Sequence, residues 1–299
     1  MRRAKMLERA RQYFAAQHVL PVDTPAMTRF PGPDPNIASF SVNSQSGARA
    51  FLHTSPEIYM KRLLASGYPD IYSICRVFRD GEAGKRHCPE FTLAEWYRLN
   101  FGLSEIINDA VQFIVACLDR PGLADSVVQY DYRELFRIFA DLDPFECSID
   151  ELAKRCNADA RLKSALGTPR QPWLDLVVST IIAPQFAGDR LTVIRHYPAD
   201  QAALARLCAD DNRVADRFEV FFAELELANG YVELTDVDEQ RQRFEKELDI
   251  HCIDTTLLAA LEAGLPDCAG VALGIERLQM VLDQTDDIRD VVTFMAEPQ

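Results

Sequence analysis

The 299-residue chain is 48% hydrophobic and 26% charged, a globular balance that excludes disordered, collagen-like and repeat compositions and suffices to bury a core without a disulfide or structural metal. Its 32 Lys and Arg against 46 Asp and Glu give a net charge of -14, so the surface as a whole repels phosphodiester backbones and anionic membranes, which excludes broad nucleic-acid binding. A start without an apolar signal core, and no stretch approaching the ~18 apolar residues of a membrane span, predict a cytoplasmic protein.

Residues 3–17 place Ala4, Leu7, Ala10, Tyr13 and Phe14 at helical spacing, and the following HVLPVDTPAM, punctuated by Pro21 and Pro25, reads as extended. Residues 28–50, rich in Pro, Gly, Ser and Asn, read as a loop that rejoins the core at Ala50-Phe51-Leu52. At Thr54-Ser55-Pro56-Glu57 a capping hydroxyl, a proline at the first helical position and an early acid predict a helix to about Ala65, stopped by Gly67. IYSICRVF (71–78) and EFTLAEWYRL (90–99) read as strands joined by the eleven-residue loop RDGEAGKRHCP. Helical patterns over 104–119 and 148–165 precede strands over 191–198, 217–227 and 231–236. Helices over 236–249 and 255–264 then lead to the strand CAGVALGI (268–275) and a last helix over 276–284. Strands and helices do not alternate as βαβ units, so the prediction is a single α+β domain, residues 1–299, with an antiparallel sheet flanked by helices. The eight cysteines include no CxxC pair and are expected to be reduced thiols.

Three segments are dense in chemistry. Around the first hairpin, Arg76, Arg79, Lys85, Arg86 and Arg98 oppose Asp80, Glu82, Glu90 and Glu95, and Gly81 and Gly84 loosen the loop. A locally cationic loop in an acidic chain suits a phosphate cradle, because guanidinium groups bind phosphate oxygens bidentately; the same composition also fits a solvated hairpin tip. In FFAELELANGYVELTD, the Asn229-Gly230 pair predicts a type I′ turn. Counting outward from that turn sets Glu226 opposite Glu233, and two facing like charges call for a divalent metal or a substrate ammonium unless they splay into solvent. In GVALGIER (270–277), Gly270, Ala272 and Gly274 alternate on one face. They clear either a floor for a planar ring, with Arg277 at its edge, or room for close helix–sheet packing.

In chain order, the helix and strand ending at Thr24-Pro25, the Phe78-Arg79 long-loop hairpin and the glycine strand leading to Arg277 resemble the three motifs of class II aminoacyl-tRNA synthetases, over nearly the whole chain. TSPE, RHCPEFTLAEWYR, ELANGYVELTD and GVALGIER are most similar to the lysyl branch, and within it to the paralogues that modify elongation factor P. The resemblance implies a class II synthetase-like fold and the use of ATP with Mg²⁺. It assigns Arg79 to the α-phosphate and Arg277 to the triphosphate end as the catalytic pair, and sandwiches the adenine between Phe91 and Arg277. Asp80, Gly81, Cys88, Glu226, Leu227 and Gly274 would also contact the nucleotide, and Glu226 and Asn229 the metal. Ser55, Pro56, Glu57, Tyr97 and Glu233 would line a pocket for (R)-β-lysine or lysine.

The implied reaction is attack of the substrate carboxylate on the α-phosphorus, followed by transfer of the acyl group to a lysine side chain of elongation factor P. A homodimer is implied as well. Because the first motif begins essentially at Met1, neither an anticodon-binding domain nor a tRNA partner is expected. The chain departs from the class pattern in three places: Gly81 displaces the second-motif acid to Glu82, Cys88 stands where relatives often carry an amide, and Ala272 replaces a glycine. The last fits a pocket for a β-amino isomer. A lysyl-synthetase-like enzyme with another acceptor, and a non-catalytic regulatory subunit, remain as alternatives.

Overall fold

In the computed structural model, which describes residues 1–43, 45, 47, 49–248 and 252–295, the buried stripe Met6, Ala10 and Phe14 forms one face of α1 (Arg2–Ala16). Met1–Asp119 together with Val232–Gln299 make one compact unit, and Arg120–Tyr231 make another. After α1 come β1 (Leu20–Pro21), β2 (Met27–Thr28), β3 (Ser41–Asn43) and β4 (Arg49–Leu52). The last three pair as a small antiparallel sheet in the order β2-β4-β3, inside a segment whose Pro and Gly content predicted loop. Next are α2 (Glu57–Ala65), β5 (Ile71–Phe78), β6 (Glu90–Leu99) and α3 (Leu103–Leu118), close to their predicted limits.

The second unit holds β7 (Val128–Asp131), α4 (Tyr132–Phe139), α5 (Ile149–Arg155), α6 (Ala160–Leu166), α7 (Gln171–Val177), β8 (Leu191–Pro198), β9 (Val214–Phe222) and β10 (Leu225–Val232). The helix predicted over 148–165 is two short helices, because Asn157 turns left-handed (φ 52°) and Asp159 accepts from Leu162 N–H to start a second helix. Tyr132, Phe136, Trp173, Ile194 and Phe221 belong to one buried cluster that holds the helices to the strands.

The predicted Asn229-Gly230 turn is wrong. Both residues lie inside β10, paired with Glu219 and Phe218. The chain turns at Ala223-Glu224 instead, where Ala223 takes the left-handed conformation at φ 50° and Leu225 pairs with Phe222. The register sets Phe221, not Glu233, opposite Glu226. Burial of Phe218, Val220, Leu227 and Ala228 outweighs the local turn preference of Asn-Gly, since a shifted register would move apolar side chains to the wrong face.

The chain re-enters the first unit at Val232, the last residue of β10, and continues through α8 (Val237–Glu247), α9 (Thr255–Gly264), β11 (Cys268–Gly274) and α10 (Ile275–Asp283). The predicted end of the 236–249 helix lies outside the described residues. Here β1 runs parallel to β5, while β5–β6 and β6–β11 are antiparallel. In the second unit β10–β9 and β9–β8 are antiparallel and β7–β8 parallel. The α+β class and the mostly antiparallel pairing are as predicted. The eight cysteines are free thiols, and no helix among the described residues is long and apolar enough to cross a membrane.

An aromatic cluster fixes α1 and α3 to the β5–β6 face: the Phe14 ring stacks on Tyr72 (4.2 Å) and Phe113 (4.9 Å), and Trp96 lies 4.8 Å from Phe113. Asp109 is buried at its edge, accepting from Trp96 Nε1–H (3.0 Å) and Tyr13 O–H (2.6 Å) and pairing with Arg98 (3.5 Å). Asp109→Ala would leave the buried Trp96 Nε1–H without its acceptor and take one carboxylate from Arg98, which keeps Asp70, while Tyr13 O–H keeps the residue-109 carbonyl. The expected loss is about 1–3 kcal/mol of unfolding free energy, read from urea titration.

Candidate active site

The face shared by β6 and β11 is set by register. Tyr97 pairs with Gly270 and Glu95 with Ala272, so the period of two brings the two polar side chains beside the small-residue stripe. Ser55, just ahead of α2, accepts from Glu57 N–H (3.0 Å) and donates to Glu95 Oε2 (2.7 Å), while Tyr97 O–H donates to Glu95 Oε1 (2.7 Å). One turn into α2, Lys61 Nζ lies 2.7 Å from Glu57 Oε1 and 2.5 Å from Glu233 Oε2. Glu233 follows β10 and is tied to β11 by its N–H to the Cys268 carbonyl (2.9 Å).

Glu57 and Glu233 thus share one lysine, and Glu95, bonded to Ser55 and Tyr97, lies near enough to feel its charge. Glu95, Glu233 and Lys61 are each 2% exposed. Burial, reinforced by the Glu57 charge, pushes the Glu95 carboxyl up to about 7 against the Ser55 and Tyr97 donors. Burial also pushes Glu233 up, to about 8, although Lys61 opposes it. Burial by itself would lower Lys61, but the Glu233 and Glu57 charges outweigh it and hold the ammonium charged. Glu233 Oε1 has no hydrogen-bond partner among the described residues. A buried carboxylate oxygen left without a donor is an acceptor for a cationic guest.

Of the expected pocket residues, the structure gathers Ser55, Glu57, Tyr97 and Glu233, with Pro56 serving as N-cap of α2. Glu95 was missed. In sequence it is one charge beside a basic loop, and the signal that could have found it is its alternation with Tyr97 in a strand facing Gly270 and Ala272.

The expected nucleotide residues of this unit surround the long loop. Arg79 points its guanidinium over the Phe91 ring (5.0 Å), donates to the Thr54 carbonyl (3.4 Å) and pairs with Glu82 (3.6 Å). The displaced acid therefore still reaches Arg79. Gly81 has φ +78°, a left-handed turn that disfavours a side chain in the usual acid position. Asp80 is anchored by its N–H to the Ala38 carbonyl (2.8 Å). Arg277, in the first turn of α10 after Gly274, contacts His87 Nε2 (2.8 Å) and the Arg86 carbonyl (3.3 Å). Cys88 is buried and its thiol pushed up, chiefly by burial. Two other cations of the basic segment serve the scaffold: Arg76 pairs with Glu90 and Glu276, and Arg98 with Asp70 and Asp109.

In the second unit, Leu227 is a core side chain. Asn229 Oδ1 accepts from Arg217 Nε–H (3.2 Å), and Arg217 also pairs with Glu219 (2.6 Å) and lies over the Tyr197 ring (4.6 Å). Burial and then the Glu226 charge push the Glu219 carboxyl up to about 7, so these two acids repel each other. Glu219, across from Asn229, was missed because the sequence register had paired other residues. Glu226, Glu219 and Asn229 offer oxygen donors of the kind a hard divalent cation takes, but the Arg217 guanidinium already engages Glu219 and Asn229 Oδ1 in this structure. His196, Cys208 and Asp216 also bring ligand atoms within 4.8 Å of one another. Each has a protein partner: Cys208 donates to Asp216 (3.0 Å), Arg206 pairs with Asp216 (3.0 Å), and His196 faces Asp131 (2.9 Å).

A profile of the class II tRNA synthetases (D, K and N) matches residues 1–298, and the chain belongs to that family. Among individual proteins, it is 40% identical to an elongation factor P–(R)-β-lysine ligase of Mannheimia succiniciproducens, over 98% of this chain and 93% of the relative. It is 39% identical to ligases of the same name from Avibacterium paragallinarum and Haemophilus influenzae, over 99% of this chain and 94% of each relative.

Gly270 is needed for space. A Cβ there would lie 2.6 Å from both Glu233 Oε1 and Tyr97 Cε1. Gly270→Ala should displace the Glu233 carboxylate, weaken binding of a dibasic amino acid about tenfold or more, and lower stability by about 1–3 kcal/mol. Calorimetric titration and urea unfolding read the two effects separately.

Proposed function

We propose that this chain is an ATP-dependent ligase that activates (R)-β-lysine, or lysine, as an aminoacyl-adenylate and transfers it to a lysine side chain of elongation factor P. The observation that carries this reading is the buried surplus of carboxylates at Glu57, Glu95 and Glu233 around the one Lys61 ammonium, which suits an amino acid with two ammonium groups. Membership of the class II synthetases implies ATP use. The names of the relatives support the acceptor and the β-amino isomer.

In the proposed sequence, a substrate carboxylate oxygen attacks the α-phosphorus, the bond to the β-phosphate oxygen breaks, and pyrophosphate leaves. The neutral amine of the acceptor lysine then attacks the acyl carbon, forming an amide, releasing AMP and losing one proton. No protein nucleophile is required. Arg79 would hold the α-phosphate and Arg277 the triphosphate end, each already oriented by the contacts described above, so little side-chain ordering remains at binding. Phe91, Asp80, Gly81, Cys88 and Gly274 would line the nucleotide site, with Arg277 stacking on the adenine. Glu226 and Asn229 would hold Mg²⁺, which supplies charge neutralisation for phosphate oxygens when bound.

Residues 1–299 would act as one catalytic domain, in the cytoplasm and as a homodimer. The net charge of -14 favours a protein acceptor over tRNA. The motive for a non-catalytic reading, the acid missing at Gly81, is weakened by the Glu82–Arg79 ion pair.

Mass spectrometry of elongation factor P after incubation with the protein, ATP, Mg²⁺ and (R)-β-lysine should show one added acyl group. An unmodified acceptor together with no pyrophosphate exchange on either lysine isomer would overturn the proposal. Arg79→Ala removes a charge-assisted contact worth about 1.5–3 kcal/mol, and the exchange rate should fall roughly 10- to 150-fold. The pH dependence has a definite sign. An ammonium guest requires ionised Glu95 and Glu233, whose carboxyls titrate near 7 and 8. Affinity is therefore full above that range and is lost as pH falls through it, which KM measured between about pH 9 and about pH 6 will show.

A further inference from the structure

Apart from the residues assigned to ATP, Mg²⁺ and the amino acid, the second unit brings three further ligand types together. There β8, β9 and the segment 206–208 lie side by side: Tyr197 pairs with Ala215, and Leu207 bridges the same Ala215 from the other edge. The β8–β9 register passes from Arg195–Phe218 to Tyr197–Ala215, which leaves His196 opposite two residues, Asp216 and Arg217. Such a bulge re-aims a side chain, and His196 sits in it with a left-handed backbone at φ 58°. Cys208 N–H donates to the Val214 carbonyl (2.9 Å) and Asp216 N–H to the Arg206 carbonyl (2.9 Å), so Cys208 and Asp216 stand on adjoining segments. As a result His196, Cys208 and Asp216, all half-buried, hold a ring nitrogen, a sulfur and a carboxylate oxygen within 4.8 Å of one another. The surrounding contacts orient these groups. Asp131 Oδ1 faces His196 Nδ1 (2.9 Å) and accepts from Arg195 Nε–H (2.7 Å), a carboxylate tether of the kind that fixes metal-ligating imidazoles, and it leaves Nε2 for a second partner. Arg206 holds Asp216 Oδ2 (3.0 Å), and the other oxygen, Oδ1, accepts from the Cys208 thiol (3.0 Å). Asp211, the remaining charge that acts on the thiol, is taken up by Arg213 (2.7 Å).

We propose that His196, Cys208 and Asp216 are the protein ligands of one divalent transition-metal ion of the zinc class, with a fourth position left to water. Donor chemistry selects the ion: a thiolate and an imidazole beside one carboxylate suit Zn²⁺, whereas Mg²⁺ and Ca²⁺ take oxygen ligands. The distances agree. At zinc bond lengths the ligand atoms of a tetrahedral site lie roughly 3.3–3.6 Å apart, so the widest pair closes by no more than about 1.5 Å, a side-chain adjustment. On binding, the ion takes the place of the Cys208 proton. The S–H bond breaks, the proton passes to water, and the sulfur and Asp216 Oδ1, until then donor and acceptor to each other, both bond the metal. Asp131 and Arg206 stay as the outer partners of His196 and Asp216. The ion cross-links β8, β9 and the segment 206–208, and the proposal does not depend on the ligase reading.

The test is titration of the purified, chelator-treated protein with Co²⁺ as an optical probe and then with Zn²⁺, in excess Mg²⁺ so that sites made of oxygen alone are filled. The wild type should develop a thiolate-to-cobalt charge-transfer band that saturates at one ion per chain and bleaches as Zn²⁺ displaces Co²⁺. Cys208→Ser should abolish the band, and His196→Gln and Asp216→Asn should each weaken Zn²⁺ binding by about tenfold or more. No band in the wild type overturns the proposal. A band that persists in Cys208→Ser does so too, because the chain has eight cysteines and another would then be the ligand. Unchanged Zn²⁺ affinity in either His196→Gln or Asp216→Asn also overturns it. A thiol and carboxylate paired only for the fold would change thermal stability in these variants and give no band at all. Where Cys208→Ser does not fold, X-ray absorption at the zinc edge of the wild type decides: one sulfur in the shell is required, and a shell with none, or with more than one, overturns the proposal. The measurements use neither ATP nor lysine, so their outcome is separate from that of the ligase reading.

Discussion

The pocket depends on one buried ion cluster in which the acids outnumber the cation. Glu57 and Lys61 are four apart on α2, Glu95 comes from the middle of β6, and Glu233 follows β10 with its amide tied to β11. Such an arrangement does not serve the fold by itself. Carboxyls whose folded values lie above their ordinary 4.5 make the native state less favourable as pH rises from about 4.5 through about 8, because the unfolded chain gives up those protons first. A guest that supplies positive charge reverses that penalty, so binding and folding are coupled through the same protons.

The cations proposed for the nucleotide are held differently. Arg79 meets the Thr54 carbonyl, Glu82 and the Phe91 ring, and Arg277 contacts His87 and the Arg86 carbonyl. The Arg79–Glu82 contact is a single 3.6 Å pair, in contrast to the bidentate clasp of Arg133 on Asp143 in the second unit. A cation oriented by weak contacts keeps most of its capacity for phosphate. Gly81 belongs to the same design, since its left-handed turn carries the acid to Glu82 and leaves an ion pair that a phosphate could replace.

Long, periodic segments were legible from sequence: α1, α2, β5, β6, α3, β11 and α10 each span enough residues for a period of 3.6 or 2 to declare itself. Helices of seven or eight residues such as α4 and α7 were not, because two turns offer too little pattern. The site divided along the same line. Ser55, Glu57, Tyr97, Arg79 and Arg277 stand in compact local motifs. Glu95 and Glu219 do not, and only strand pairing shows what faces them.

By itself the amino-acid sequence determined the α+β class, the family resemblance and the acidic surface, because these follow from composition and from local order along the chain. Tertiary structure alone decided that Asn229-Gly230 runs through a strand, that Glu226 faces Phe221, and that Glu57 and Glu233 meet on Lys61. The reason is physical: register is chosen by which apolar side chains are buried across a sheet, and a charge count depends on neighbours separated by up to about two hundred residues of chain.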